Sequence, residues 1–493
     1  MSNPFLEAVG PYITQQEWAS RLAFDPLAGI DVSSASEEQK DFLLGTIHDV
    51  IEPTRPSIRV ACAMQRMLRR SYMRRNPTSG AGRAETLKLL GLRGTKNPED
   101  IDFGSVYADA LVIKGCTGIG KSTTIKRFCK LLTQKHVHGR SVVAGWVKRV
   151  QITYLIVPMS IHRGGLVYAI LAALDEVLGT SIRSQYLNKK GWSVERVAIE
   201  VGILLVQNSV GILIIEELQP SNFGAAPYRT EMLATLLRLL NFGIPIVFVG
   251  NPLAFEGIAI HSQDLRRLMS EEPVEFMPYE ESDPDWHDGL APAMWGHNFM
   301  PVRTPCDAEI KQALHRCSAG IPDFAARAVA GCQRLALETA GTFSVTAAHL
   351  SQYRTESAAF AACKDLIEGF KFRDPKKLSQ FVDVPWEEYA LRWGFTIEDI
   401  LDLGGGEPSS TLSPMTAAEQ AAYRSVHDRI RAQYSSTRTR EKKKAQANSK
   451  RRSKNTEPDR SSKIRETLGK QLETLREEVE AAKGKTVKSR KKE

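Results

Sequence analysis

The sequence predicts an α/β fold in which a parallel sheet, covered by helices on both faces, carries a phosphate-binding loop. Three observations predict it. Residues 115–122 read Gly-Cys-Thr-Gly-Ile-Gly-Lys-Ser and fit the spacing G-x-x-x-x-G-K-[ST]. The run Ala-Leu-Val-Ile at 110–113, just before it, has the short apolar character of a buried parallel strand. After it, Ile125, Phe128, Cys129 and Leu132 recur at helical spacing over 123–132. Strand, glycine loop and helix in that order are the setting in which such a loop holds phosphates.

Each loop residue type has a task. Gly115, Gly118 and Gly120 let the backbone take conformations and approaches that a Cβ blocks. Lys121 brings a positive charge to the β- and γ-phosphates, and the Ser122 hydroxyl is a hard oxygen suited to Mg²⁺. The following helix points its positive end at the anion. The candidate nucleotide-binding residues are therefore Gly115, Gly118, Ile119, Gly120, Lys121, Ser122 and Thr123, with ATP and Mg²⁺ as the cofactors.

Downstream, strands and helices alternate to residue 280. A strand is expected at 151–157, followed by an exit loop with His162 and Arg163 and a helix at 166–178. A helix at 193–208 precedes the apolar run 210–215, which ends in Glu216 and Glu217. A helix at 231–240, a strand at 244–249 ending in Gly250-Asn251-Pro252, and a short strand at 274–277 complete the set. Two carboxylates at the tip of an apolar strand need a reason, because buried charge is costly. Beside a phosphate loop, the first acid suits Mg²⁺ and the second orients the attacking water. Glu216 and Glu217 fit those roles in that order. Asn251 ends a central strand, where its amide could reach the γ-phosphate or that water; turn chemistry alone also favours Asn before Pro.

Four regions follow from composition. Residues 1–105 form an N-terminal extension expected to make partner or DNA contacts through a basic segment. Its clearest segment, 66–77, sets Met67, Leu68 and Tyr72 among five arginines. That segment suits a phosphate-contacting face, a docking face for an acidic partner, or a solvated helix with snorkelling arginines. Residues 106–280 form the nucleotide-binding α/β domain. After a Pro/Trp/Asp-rich linker at 283–301, residues 281–400 form a small helical C-terminal domain with helices at 308–317, 323–338 and 345–359. Arg327 on the second of these either reaches back to a phosphate or pairs with Asp323 at i,i+4. Residues 401–493 are expected to be a disordered basic tail. The chain's net charge is +9, yet residues 431–493 hold 21 Lys/Arg against 9 Asp/Glu, so the body is near neutral. Within the tail, Ile464, Leu468, Leu472, Leu475 and Val479 form an apolar helical stripe, either a docking helix or a solvated one.

The seven cysteines are dispersed without a C-x-x-C pair, which argues against a disulfide framework or a zinc site. No apolar run reaches the ~18 residues of a membrane span. A bacterial cytoplasmic protein without membrane contact is the expectation.

Taken together, the chain resembles the TnsC/TniB family of AAA+ ATPases, regulators of transposition in TnsABC-type elements, CRISPR-associated or related. The resemblance covers about residues 3–370. It rests on Asn-Pro-Phe-Leu-Glu-Ala at 3–8, Arg-Asn-Pro-Thr-Ser-Gly at 75–80, the phosphate loop, Leu-Ile-Ile-Glu-Glu-Leu-Gln at 213–219, and Gly-Ile-Pro-Ile-Val-Phe-Val-Gly at 243–250. It implies an AAA+ P-loop core with a five-stranded parallel sheet, a helical lid, and a homo-oligomer, ring or helical filament, on double-stranded DNA. It implies further that the oligomer links a target selector of the TnsD/TniQ kind to transposase subunits of the TnsA/TnsB kind. By position it assigns Lys121 and Ser122 to nucleotide and Mg²⁺, Glu217 to water activation, Asn251 to the strand-end sensor and Arg327 to the lid sensor. Arg266, in Asp-Leu-Arg-Arg at 264–267, falls where a subunit supplies an arginine to its neighbour's ATP. His162 and Arg163 fall near the DNA-facing surface. The family usually has Asp-Glu where this chain has Glu216-Glu217, and the longer first acid predicts slow hydrolysis. The alternatives are a nucleotide-gated DNA scaffold with little hydrolysis, or another AAA+ DNA-remodelling or loader protein of the IstB kind.

Overall fold

The computed structural model describes residues 2–403 except 31–34, 94–107, 140–148, 188–192, 225–228, 256–265, 340, 397–398 and 401–402. The tail and its apolar stripe lie outside the described residues, as do Asp264 and Leu265.

Five parallel strands form the central sheet: β1 (Ala110–Gly115), β4 (Tyr154–Pro158), β5 (Ile212–Leu218), β6 (Ile246–Gly250) and β7 (Val274–Phe276), in the order β4-β5-β6-β1-β7. A separate antiparallel hairpin pairs β2 (Lys135–His138) with β3 (Arg149–Ile152). Alternation along each strand divides the core in two. Leu111, Ile113, Ile212, Ile214, Val247 and Val249 face one layer, and Ala110, Val112, Leu213, Ile215, Ile246 and Phe248 face the other. All are buried. This is why the strands are continuous apolar runs and not alternating ones.

Helices Arg163–Leu178, Val194–Gln207 and Arg229–Asn241 cover the second face. The first is covered by Lys121–Lys130 and by the 20-residue helix Arg55–Arg74 of the N-terminal segment. Met64, Met67, Leu68 and Tyr72 of the long helix are buried, and a Cβ on Gly211 would lie 2.4 Å from Leu68. The Tyr72 hydroxyl reaches the carbonyls of Ile152 and Ser209 at 3.2 and 3.1 Å. The arginines on its other side bind within the chain. Arg66 pairs with Glu271 at 3.0 Å, Arg70 with Asp109 and Glu271, and Arg69 donates to the Gly10 carbonyl. The N-terminus docks at the end of this helix: Asn3 donates to the Tyr72 carbonyl at 3.0 Å, and Thr78, just beyond the helix, donates to that of Ser2 at 2.7 Å.

Two expectations need correction. The strand expected at 151–157 breaks at Thr153, giving β3 and β4. The Thr153 amide and hydroxyl donate to the carbonyls of Gln134 and Thr133, turning the chain out of one ladder and into the next. The linker at 283–301 is packed structure: a π-helical turn Asp285–Leu290, then helix Ala291–Gly296. Trp286 and Trp295 are buried, which makes the segment part of the core.

Beyond it, helices Ala308–Ser318, Pro322–Glu338 and Ala347–Glu356 pack together. Asp307 caps the first, and Pro322 opens the second with its fixed φ. The third ends at Glu356, and a separate helix Ala358–Ala362 follows. Arg334 of the second helix pairs with Asp41 at 2.7 Å, drawing the N-terminal segment over this region.

Candidate functional site

A cleft of about 390 Å³ opens at the carboxyl ends of β1, β5 and β6. One wall is the phosphate loop with Glu217, Gln219 and Asn251, and another is Pro322, Asp323 and Ala326. The third comes from the N-terminal segment, with Ile47, His48, Val50, Ile51 and Thr54, joined by Leu290 and Met294. The cleft is cationic and rich in backbone amides at the loop end and apolar at the other. That polarity suits a nucleotide, phosphates first.

The loop is shaped by two positive-φ glycines, Gly118 at +78° and Gly120 at +99°. Gly120 directly precedes the first turn of Lys121–Lys130. A Cβ on Gly118 would sit 2.9 Å from that of Asp323, whose amide donates to the Gly118 carbonyl at 3.2 Å. A Cβ on Gly115 would meet the Phe276 carbonyl at 2.6 Å, so β7 also requires glycine there. Ile119 is buried and anchors the loop, and Thr123 lines the cleft. Lys121 Nζ donates to the carbonyls of Gly115 and Cys116, both at 2.7 Å. Burial lowers its pKa, and the neighbouring Cys116 and Asp383 act the other way.

Glu216 and Glu217 divide between two directions. β5 bulges between Ile215 and Leu218, and Glu217 takes a left-handed φ of +61°. For a residue with a Cβ that conformation costs about 1–2 kcal/mol. Asn222 sustains it, donating to the Glu217 carbonyl at 2.7 Å and accepting from the Gln219 amide at 2.8 Å. The bulge leaves Glu217 exposed on the cleft wall, a common use of bulges beside active sites. Glu216 is half-buried beside Ser122. Burial raises its pKa, the Ser122 hydroxyl and Lys126 lower it, and Glu217 raises it again. Its Oε1 is buried without a hydrogen-bond partner. An orphaned carboxylate oxygen beside a serine hydroxyl fits a divalent cation, and Mg²⁺ takes only one or two carboxylates from a protein.

Asn251 is buried on the cleft wall. Its Oδ1 accepts from the Leu253 amide at 2.9 Å, and its Nδ2 donates to the carbonyl of Asp383. Arg327 lies outside the cleft wall and pairs with Asp323 at 2.8 Å. Arg266 is exposed and makes no ion pair among the described residues. His162 is exposed at the exit of β4, whereas Arg163 is held between Glu195 and Glu231, the latter at 3.2 Å. The loop, Glu217 and Asn251 thus share one cleft; Arg266, His162 and Arg163 lie apart from it.

Three parts of the site carried no signal in the sequence that placed them there. The segment 47–54 mixes Ile47, Val50 and Ile51 with His48, Asp49 and Glu52 and has no motif, Asp323 stood out only as a partner for Arg327, and Asp383 has no local pattern at all. All seven cysteines are free, and no cluster of three metal-ligating side chains occurs among the described residues. No described helix is long and apolar enough to cross a membrane.

No curated protein matches the chain. Among solved structures it is similar to the Aeropyrum pernix ORC1 protein in complex with DNA, at 16% identity and a TM-score of 0.36 over 71% of this chain and 96% of that one. It is similar too to Cdc6p from Pyrobaculum aerophilum, at 15% identity and a TM-score of 0.32 over 70% of this chain and 85% of that one. The part of the sequence that spans the phosphate loop, both acids and Asn251, residues 106–258, matches the family model described as an AAA domain.

Proposed function

We propose that the chain is an ATPase whose nucleotide state governs its assembly on double-stranded DNA, as a regulator of transposition linking a target selector to transposase subunits. The observation that carries the ATPase part is the convergence of Lys121, Glu217 and Asn251 on one cleft at the strand ends. Loop amides and Lys121 bind the phosphates, and the apolar end, Val50 and Ile51 with Leu290 and Met294, takes the base. Ser122 and Glu216 would hold Mg²⁺, which supplies charge neutralisation at the β- and γ-phosphate oxygens. Glu217, solvent-facing on its bulge, accepts the proton of the attacking water. Arg266, exposed and unpaired among the described residues, is free to reach a nucleotide bound by a neighbouring copy. The transposition role is supported by the sequence blocks at 3–8 and 75–80.

Glu216 favours a second reading, a nucleotide-gated scaffold with slow turnover. A glutamate carries its carboxylate one methylene further than the aspartate usual there, and Mg²⁺ tolerates little misplacement. Lys121→Ala tests both readings through ATP binding by calorimetry and ATP-dependent assembly on DNA. Loss of both is expected, because the phosphates lose their main counter-charge. Undiminished assembly on DNA would reject nucleotide gating.

A further inference from the structure

A segment far along the chain closes over the phosphate loop. Helix Pro375–Leu378, a turn, and helix Trp386–Trp393 form a strap anchored by buried Leu378, Val384, Trp386, Tyr389 and Ala390. From the turn, Asp383 reaches the end of β6 and the phosphate loop. Its main-chain carbonyl accepts the side-chain amide of Asn251, and its carboxylate lies 3.5 Å from the Thr117 hydroxyl. A second set of charges fastens the strap at the entrance to the loop. Lys114, the residue before Gly115, lies 3.3 Å from Glu388 and 3.5 Å from Glu275, and Arg392 bridges Glu275 at 2.6 Å and Glu388 at 2.5 Å. The closure is imperfect inside: the Tyr389 hydroxyl is buried without a hydrogen-bond partner. Unmet buried polar groups favour an alternative arrangement in which water reaches them.

We propose that this strap is an autoinhibitory contact: Asp383 sets a carboxylate beside the loop that must receive the phosphates of ATP and occupies Asn251, so ATP binding displaces the strap. The proposal rests on the cleft being the ATP site and adds how that site is regulated. Like charge at the loop opposes an incoming triphosphate more than a diphosphate, whose last phosphate stops one group short. Displacement also frees the Asn251 amide for the nucleotide. The device thus favours ADP over ATP until the strap lifts.

Titration of the full chain with ATP and with ADP, both with Mg²⁺, tests this on the wild type and on Asp383→Asn. The variant keeps shape and main-chain carbonyl and removes only the charge. ATP is expected to bind about tenfold more tightly and ADP less than about threefold, since a like charge a few ångströms away in a partly screened site is removed. A merely structural role for Asp383 would not move the ATP-to-ADP ratio, so an unchanged ratio overturns the proposal. Hydrogen exchange of the wild-type amides at 381–393 gives a reading that needs no variant. Faster exchange with ATP than with ADP is expected, and equal protection in both overturns the proposal. If the wild type binds nucleotide normally and these readouts stay flat, only the strap falls. If neither wild type nor variant binds any nucleotide, the ATP site falls and the strap with it.

Discussion

Asp323 holds Arg327 at 2.8 Å through its carboxylate and the Gly118 carbonyl at 3.2 Å through its amide. One residue thus ties the candidate lid sensor to the phosphate loop. Arg327 is parked one residue away from the cleft it is expected to serve.

Because this pair is half-exposed, its own contribution to stability is small, at most about 1 kcal/mol. Arg327→Ala is therefore expected to shift the denaturation midpoint little while lowering ATP turnover tenfold or more. Stability by urea titration and turnover by phosphate release separate the two effects. Unchanged turnover would reduce Arg327 to a surface ion pair.

Arg266→Ala is expected to leave nucleotide binding by the isolated chain intact and to weaken both oligomer formation and turnover. The side chain is exposed and unpaired among the described residues, so its removal disturbs no internal contact. Sedimentation with ATP and DNA, alongside turnover, checks this. Normal hydrolysis by an assembled variant would shift the role to Arg267.

The strap carries its own pH dependence. Burial pushes the Glu387 carboxyl up to about 6 from an ordinary 4.5. A raised folded-state pKa means this group's contribution is fully present below pH 4.5 and lost as pH rises through about 6. Glu387→Gln should thus stabilise the chain at pH 8 by at most about 2 kcal/mol and do nothing near pH 4. Urea midpoints of the pair at both pH values decide it; equal midpoints at pH 8 would place the carboxyl in water.

Local pattern carried the sheet and half of the site. β1, β5 and β6 were legible because strands buried on both faces are unbroken apolar runs, and Glu216-Glu217 stood out as charge at the end of one. The break at Thr153 was not legible, since it depends on carbonyls at 133 and 134 supplied by another strand's approach. Proline and aspartate disguised 283–301 as a linker, although two tryptophans there required burial. Asp383 meets Asn251 across 132 residues, a distance over which periodicity says nothing. Left-handed Glu217 was equally hidden, because a bulge arises from the register of two strands and not from either sequence.

The central claim is that this cleft hydrolyses ATP with Glu217 as the base, slowed by Glu216 in the metal position. Steady-state ATP turnover on double-stranded DNA, for the parent beside Glu217→Gln and Glu216→Asp, tests it most directly. Glu217→Gln should lose about a hundredfold or more in rate while still assembling on DNA. Glu216→Asp should be faster than the parent, since a misplacement of about 1 Å can cost on the order of a hundredfold. A Glu217→Gln variant that turns over ATP at the parent rate, or a slower Glu216→Asp, would contradict the account.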